Sequence, residues 1–343
     1  MSMSSEKRVL VTGISGFLGG YVAAALLKRG YSIRGSIRDP ARASQVRESF
    51  RAAGADITRL ELCVLDLLDD RGWAEAAEGC RYLHHVASPF VLTMPKDEDA
   101  LIRPAVEGTR RAIRAGLEAG HERIVLTSSV VAIDGGHVSY GRPFTTHDWT
   151  RVDGPHVNAY HKSKTLAEQQ AWRLVDSEGA RQKLAVINPG TMLGPLLDDD
   201  PGTSVAIIQR LLKGEMAMIP NLIFPYVDVR DVADAHVAAM ETAEAGGQRH
   251  IVANNGVPLA DIARMLREGF PEHAERIPAR RMPAWMARVV ALFNKSLRDN
   301  LSRLDVPRSY DVSSGLQLLG RPLRPTHEAV VASARSLLER GLA

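Results

Sequence analysis

Cysteine and aromatic residues are scarce in this 343-residue chain, which has 2 Cys, 7 Phe, 7 Tyr and 4 Trp. With Cys63 and Cys80 alone, and with neither a CxxC pair nor a His cluster at ligand spacing, no disulfide framework and no metal site is expected. The two thiols are read as reduced and buried. Long apolar runs are also missing, since no stretch approaches the roughly 20 residues that cross a bilayer. The opening Met-Ser-Met-Ser-Ser-Glu-Lys-Arg enters a strand-like segment without the apolar core of a signal peptide. The expectation is a cytoplasmic protein with no membrane partner. An excess of one charge is lacking as well, because 43 Lys and Arg stand against 40 Asp and Glu, a net +3. A pI near 8.9 resting on so small an excess argues against a nucleic-acid partner. The isolated doublets Arg110-Arg111 and Arg280-Arg281 read as solvated faces.

What is present is an ordinary globular composition, 45% apolar and 24% charged, long enough for one large or two moderate domains. In the first half, short β-branched runs alternate with helical patterns, the rhythm of a parallel sheet covered on both faces. Strands are expected at about 8–12, 32–37, 57–65, 81–87, 123–128 and 184–188. Helices are expected at about 17–29, 40–53, 71–78, 98–119 and 159–178. This predicts an α/β doubly wound parallel sheet of Rossmann type with right-handed crossovers. After Pro189 the rhythm fails, with Gly, Pro and Asp198 to Asp200 preceding a helix near 203–213. The segment from Tyr226 reads as a helix start, and 248–253 as one more strand, both returning to the sheet. Short helices separated by prolines then dominate, as in a smaller lid. The expected division is residues 1–189 for dinucleotide binding, with 226–253 returning to it, and 190–225 with 254–343 as a mostly helical substrate domain.

Directly after the first strand comes Thr12-Gly13-Ile14-Ser15-Gly16-Phe17-Leu18-Gly19-Gly20, a GxxGxxG loop opening an Ala- and Leu-rich helix. Glycines let the backbone turn tightly and approach a pyrophosphate, whose charge sits among free N–H groups at the helix N-terminus. The pattern alone is weak, and its place between the first strand and first helix strengthens it. The end of the second strand distinguishes the two nicotinamide dinucleotides. An acidic residue there binds a ribose 2′-hydroxyl, whereas a 2′-phosphate needs a cation. The sequence Ile37-Arg38-Asp39-Pro40 puts Arg38 at this point, favouring NADP(H), with Arg42 as a second contact. Asp39 leaves a ribose contact, or a pairing with Arg38, open.

The fifth expected strand ends in Thr127-Ser128-Ser129, and Tyr160-His161-Lys162-Ser163-Lys164 opens a later helix. Tyr160 and Lys164 stand four residues apart, on one helical face. An ammonium near a phenol favours the phenolate and lowers its pKa from about 10, so that the Tyr can exchange a proton near neutral pH.

At these residues the chain resembles the extended short-chain dehydrogenase/reductase family, in the branch of dihydroflavonol reductases, cinnamoyl-CoA reductases and microbial NADPH-dependent aldehyde and ketone reductases. The resemblance spans nearly the whole chain. It includes Thr12 to Gly19, Arg38-Asp39-Pro40, Leu65-Asp66-Leu67, His85-Val86-Ala87-Ser88-Pro89 and Arg103 to Thr109. It continues through Thr127-Ser128-Ser129, Tyr160 to Lys164, Asn188-Pro189-Gly190 and Tyr226 to Ala233. The resemblance implies that Tyr160 donates a proton to a carbonyl oxygen, and that Lys164 binds the nicotinamide ribose and tunes Tyr160. It implies that Ser129, rather than Ser128, hydrogen-bonds the substrate oxygen. Gly13, Gly16, Phe17, Leu18 and Gly19 would hold the pyrophosphate, and Asp66 and Leu67 would flank adenine. Ala87 and Ser88 would lie beside ribose and nicotinamide, with Pro189 near the carboxamide.

The implied activity is NADPH-dependent, reversible reduction of an aldehyde or ketone by a monomer or homodimer. The alternatives are a nucleotide-sugar epimerase or dehydratase of the same family, and a catalytically silent NADP-binding protein. His84, His85 and His161 read as packed or solvated side chains. Phe90, Met192, Met216, Met218 and Phe224 stand where either a pocket wall or a core would use them. The apolar stretches 191–195 and 221–225 suit a medium-sized uncharged carbonyl better than a diphosphate, although Arg210, Lys213 and Arg230 keep the diphosphate in play.

Overall fold

The computed structural model describes residues 7–89, 94–137 and 141–343. The first strand, β1 (Arg8–Thr12), has Val9, Leu10 and Val11 fully buried, as a strand covered on both faces requires. There follow α1 (Phe17–Lys28), β2 (Ser32–Ile37), α2 (Ala43–Ala52), β3 (Leu60–Val64), α3 (Trp73–Ala77), β4 (Tyr82–His85), α4 (Asp99–Glu118), β5 (Arg123–Thr127), α5 (Val131–Asp134), α6 (Ala159–Ser177) and β6 (Leu184–Pro189). The remainder contributes β7 (Thr191–Leu193), α7 (Gly202–Leu212), β8 (Ile219–Pro220), β9 (Ile223–Asp228), α8 (Val229–Glu241), β10 (Arg249–Val252), β11 (Gly256–Pro258), α9 (Leu259–Gly269), β12 (Arg281–Met282), α10 (Ala284–Val290), α11 (Lys295–Asp299), α12 (Ser313–Leu319) and α13 (Thr326–Glu339).

Seven of these strands form one parallel sheet in the order β10-β6-β5-β4-β1-β2-β3. The apolar faces of α1, α2 and α8 pack on one side of it, and α3, α4 and α6 on the other. The order reverses between β1 and β4, where Thr12 lies beside His85, and a doubly wound sheet opens its ligand crevice at this switch point. Over the C-terminal edge sits a smaller layer, the three-stranded sheet β11-β9-β7 packed with α7, α9 and α13 around Leu193, Val205, Ile208, Tyr226, Ile262 and Leu337.

The doubly wound Rossmann expectation holds, and the differences are local. The stretch 40–53 divides into a single 3-10 turn, Pro40–Arg42, and α2. The third strand begins at Leu60 because Asp56 caps a turn over Ile57–Arg59. Tyr226 lies within β9 instead of starting a helix, and the helix begins only at Val229, where Asp228 caps α8 by accepting at its Oδ1 from the N–H of Arg230 (2.8 Å). The 254–343 range does not stay wholly in the upper layer, because α12 lies against β10 and α8. Cys63 is half-buried, and only Cys80 is fully so.

Candidate active site

A single cavity of about 1320 Å³ runs along the C-terminal edge of the sheet, from Arg38 and Asp66 at one end to Tyr160, Met216 and Met286 at the other. The GxxGxxG loop forms its wall. Gly13 has φ +70, and a Cβ there would stand 2.9 Å from the Ala87 Cα, so the turn demands glycine. A Cβ on Gly19 would collide with the Gly13 carbonyl. Gly16 is the N-cap of α1 and offers no side chain, so the amides of the first turn, from Phe17 through Leu18, stay available to an anion. Thr12 anchors the opposite lip, its hydroxyl accepting from the N–H groups of Val86 and Ala87 (3.0 Å each). A diphosphate therefore fits this cradle.

At the far end Arg38 is exposed and has no ion pair or hydrogen bond among the described residues, leaving its guanidinium available for a phosphate. Asp39 is engaged instead, its Oδ1 accepting from the N–H of Ala41 (2.9 Å) as the cap of the 3-10 turn. Arg42 reaches Asp198 at 3.5 Å across the cleft. Asp66 Oδ1 accepts from the N–H of Leu68 (2.8 Å), which fixes the Asp66-Leu67 bend on the cavity wall. Ala87, Ser88 and Pro189 line the same cavity further in.

Tyr160, Lys164 and Ser129 meet at the inner end. Asn158 caps α6, its Oδ1 accepting from the N–H groups of Tyr160 (3.0 Å) and His161 (3.1 Å), and this sets the phenol over the cleft. Ser129 is buried and hydrogen-bonded to the Tyr160 phenol, with its Oγ also accepting from the N–H of Val131 (3.3 Å). Burial pushes the phenol up to about 12, against the opposing hydrogen bond of Ser129. The depression expected from Lys164 is not found, and Ser129 is the group that lowers this phenol. Lys164 is itself brought down to about 8 by burial, with Glu168 opposing. Its Nζ lies 3.4 Å from the Thr127 carbonyl.

The Ser128 hydroxyl donates instead to Glu168 Oε2 (2.5 Å). Glu168, fully buried, also accepts from Asn188 Nδ2 (2.9 Å) and pairs with the buried Arg249 (2.5 Å). Arg249 in turn donates to the carbonyls of Thr146 and Asp148 and lies over the Trp149 ring. This network fixes the two strand ends that carry Ser129 and Pro189. A second one joins α5 to the C-terminal layer, where the fully buried Asp134 pairs with Arg303 (2.7 Å) and accepts from the Tyr310 hydroxyl (2.5 Å). Against the upward push of burial, Arg303 and Arg308 hold that carboxyl down to about 2.

Sequence reasoning passed over Glu168, Arg249, Asp134 and Arg303, because their partners lie far away along the chain. Asn158 had a local signal, an Asn directly before a helix. His84 is buried against His236 (3.4 Å) and Met240, and burial holds it near 3. His85 lies 3.0 Å from the Thr12 hydroxyl, and His161 hydrogen-bonds Asn158 (2.8 Å), so all three are packed. Met192, Met216, Met218 and Phe224 line the cavity, whereas Phe90 lies outside the described residues. No cluster of metal-ligating side chains occurs among the described residues.

A glycine cradle at a switch point, an exposed cation beyond it and a Ser-Tyr-Lys group at the inner end define a dinucleotide-dependent oxidoreductase of the Rossmann class. The comparisons with known proteins make this more specific. Residues 9–253 match the NAD dependent epimerase/dehydratase family, and the chain belongs to that family, in its extended short-chain reductase branch. It is 33% identical to cinnamoyl-CoA reductase 1 of Petunia hybrida over 99% of this chain and 95% of that one. It is 37% identical to cinnamoyl-CoA reductase 1 of Oryza sativa subsp. japonica, over 86% of each. Among solved structures, the yeast methylglyoxal/isovaleraldehyde reductase Gre2 complexed with NADPH superposes with a TM-score of 0.81 at 26% identity, covering 98% of this chain and 100% of that one.

Proposed function

We propose that this protein reduces an uncharged aldehyde or ketone to the alcohol, reversibly, with Tyr160 as the proton donor. It is an NADP-dependent oxidoreductase. The observation that carries the reading is the meeting of Ser129, Tyr160 and Lys164 on the wall of a cavity whose other end is a phosphate cradle. The GxxGxxG loop, Arg38, Asp66, Leu67, Ala87, Ser88, Lys164 and Pro189 are the residues that would hold the cofactor, and the cofactor supplies the hydride. Ser129 hydrogen-bonds the carbonyl oxygen, and the bond strengthens as negative charge grows there. The phenol, held near 12, keeps its proton throughout the physiological range and passes it to that oxygen, closing the alcohol O–H bond. Lys164 lies on the same helical face, one turn from Tyr160, where it would hold the nicotinamide ribose.

Substrate class follows from the cavity's inner wall, built of Met192, Met216, Met218, Leu222, Phe224 and Met286. A nucleotide-sugar diphosphate would need free cations there. Of the three cations named for a diphosphate, Arg210 alone lines the cavity and it pairs with Glu215 (3.4 Å), whereas Lys213, and Arg230 held by Asp228 (2.6 Å) and Glu328 (3.1 Å), are not among the lining residues, which supports the uncharged carbonyl. The test is an NADPH-oxidation panel of aromatic aldehydes, ketoesters, diketones and a dihydroflavonol, with UDP as competitor. Turnover of a small carbonyl without inhibition by UDP is expected. No turnover across the panel, or micromolar UDP inhibition that vanishes in Arg210→Gln, overturns the assignment.

A further inference from the structure

Between Ile277 and Arg298 the chain carries Arg280, Arg281, Arg288, Lys295 and Arg298 and no Asp or Glu. The same segment holds four large apolar side chains turned to water: Trp285 at 65% exposure, Val289 at 49%, Leu292 at 67% and Phe293 at 89%. The helical period explains how both facts coexist. On α10 the buried Ala287, with Ala291 just beyond, packs against Leu222, Leu297 and Leu304, and Met286 and Val290 line the substrate cavity. Trp285, Arg288 and Val289 stand at i, i+3 and i+4 on the outer face, and Leu292 one turn further on extends it. A soluble surface seldom carries so contiguous an aromatic and aliphatic patch without a partner.

Charge identifies the partner. The guanidinium groups of Arg280 and Arg288 have no ion pair or hydrogen bond among the described residues, that of Arg281 reaches Asp261 at 3.9 Å, and Lys295 pairs with Asp299 at 3.4 Å. Arg298 donates to the carbonyls of Ala291 and Leu292, closing the end of the helix. A second copy docked here across a two-fold axis would bring like charges face to face. An anionic lipid surface takes both components, the apolar side chains below the headgroups and the arginines among them. We propose that α10 and the turn after it dock this protein onto an anionic membrane surface. Trp285, Val289, Leu292 and Phe293 enter the interface, while Arg280, Arg281 and Arg288 bind headgroup phosphates. The contact is peripheral, since no helix among the described residues is long and apolar enough to cross a membrane. It places the cavity wall of Met282, Met286 and Val290 one helix away from the lipid, and it does not depend on which carbonyl is reduced.

The test is sedimentation of the full chain with vesicles of phosphatidylcholine alone or mixed with phosphatidylserine, alongside tryptophan emission. Trp73 and Trp172 are buried and Trp149 is partly so, which leaves Trp285 to report insertion. Co-sedimentation with the anionic vesicles only, weakening with salt and accompanied by a blue shift absent from Trp285→Phe, is expected. Arg280→Gln and Arg288→Gln should each lower partitioning about fivefold, and Trp285→Ser with Phe293→Ser should abolish it. The unfolding midpoint and NADPH binding should stay unchanged, because these side chains do not line the cavity. Absence of binding at low salt, or binding that survives the double Ser variant, overturns the proposal. So does a dimer in light scattering that the double Ser variant dissociates, which would make this face a contact between copies.

Discussion

Replacing Glu168 by Gln keeps the shape of the side chain and removes one charge of a buried pair. Glu168 Oε1 lies 2.5 Å from Arg249 Nε, and Oε2 accepts from Ser128 Oγ (2.5 Å) and Asn188 Nδ2 (2.9 Å). The glutamine would leave the Arg249 guanidinium without its counter-charge and present an NH2 group to donors. Breaking a buried pair from one side costs about 3–5 kcal/mol. With an unfolding entropy of roughly 2 cal/mol/K per residue, about 0.7 kcal/mol/K for the whole chain, the apparent Tm should fall by about 4–7 °C at pH 7. Scanning calorimetry checks this, and Glu168→Met with Arg249→Met should regain most of the loss by removing both charges together. A second readout separates the pair from ordinary packing. Glu168 raises the Lys164 ammonium against burial, so Glu168→Gln should move the alkaline limb of the pH–rate profile below its wild-type position. A Tm within about 1 °C of wild type would refute the buried ion pair, and an unmoved limb would refute its action on Lys164.

Arg38→Glu should raise the NADPH Kd about a hundredfold while changing that for NADH by less than about threefold, because it sets an anion opposite the 2′-phosphate. Equal losses in titrations with both cofactors would remove Arg38 from discrimination. Ser129→Ala should lower kcat at least about tenfold more than Ser128→Ala, whereas Ser128→Ala should cost more in Tm, since Ser128 Oγ serves Glu168. For pH dependence, burial raises the Tyr160 phenol and lowers the Lys164 ammonium to about 8, so an alkaline limb near 8 is expected from Lys164. Its folded value lies below the usual one, and the charged form is lost as pH rises through about 8. Reduction should therefore hold below that pH and decline above it, and Lys164→Arg, which stays protonated, should remove the limb from the kcat/KM profile.

Much of the dinucleotide half was legible because its central strands bury both faces and its helices bury one, so each announces itself by composition or period. The strands at 8–12 and 32–37 fall at their expected places for that reason. The upper layer was less legible. The strand Ile223–Asp228 contains Pro225 and passes into α8 without a loop, and strands of two or three residues such as β8 and β12 are too short to carry a period. At the site, Gly13, Tyr160 and Lys164 were visible through local spacing. Glu168 on α6 and Arg249 on β10 lie 81 residues apart in sequence and become partners only when α6 packs on the sheet and β10 joins β6, so no local pattern marks them. The direction of the Tyr160 shift also needed the fold, because burial, which outweighs every neighbouring group, is not written in a four-residue spacing.

The central claim is that the Tyr160 phenol delivers the proton to the carbonyl oxygen. Its most direct test is the turnover of Tyr160→Phe on the best carbonyl found in the NADPH-oxidation panel, measured together with NADPH affinity. A loss in kcat of at least about a hundredfold with an unchanged Kd for NADPH is expected, since only the acid is removed while the ring remains. Near-normal turnover with the phenylalanine in place would contradict it.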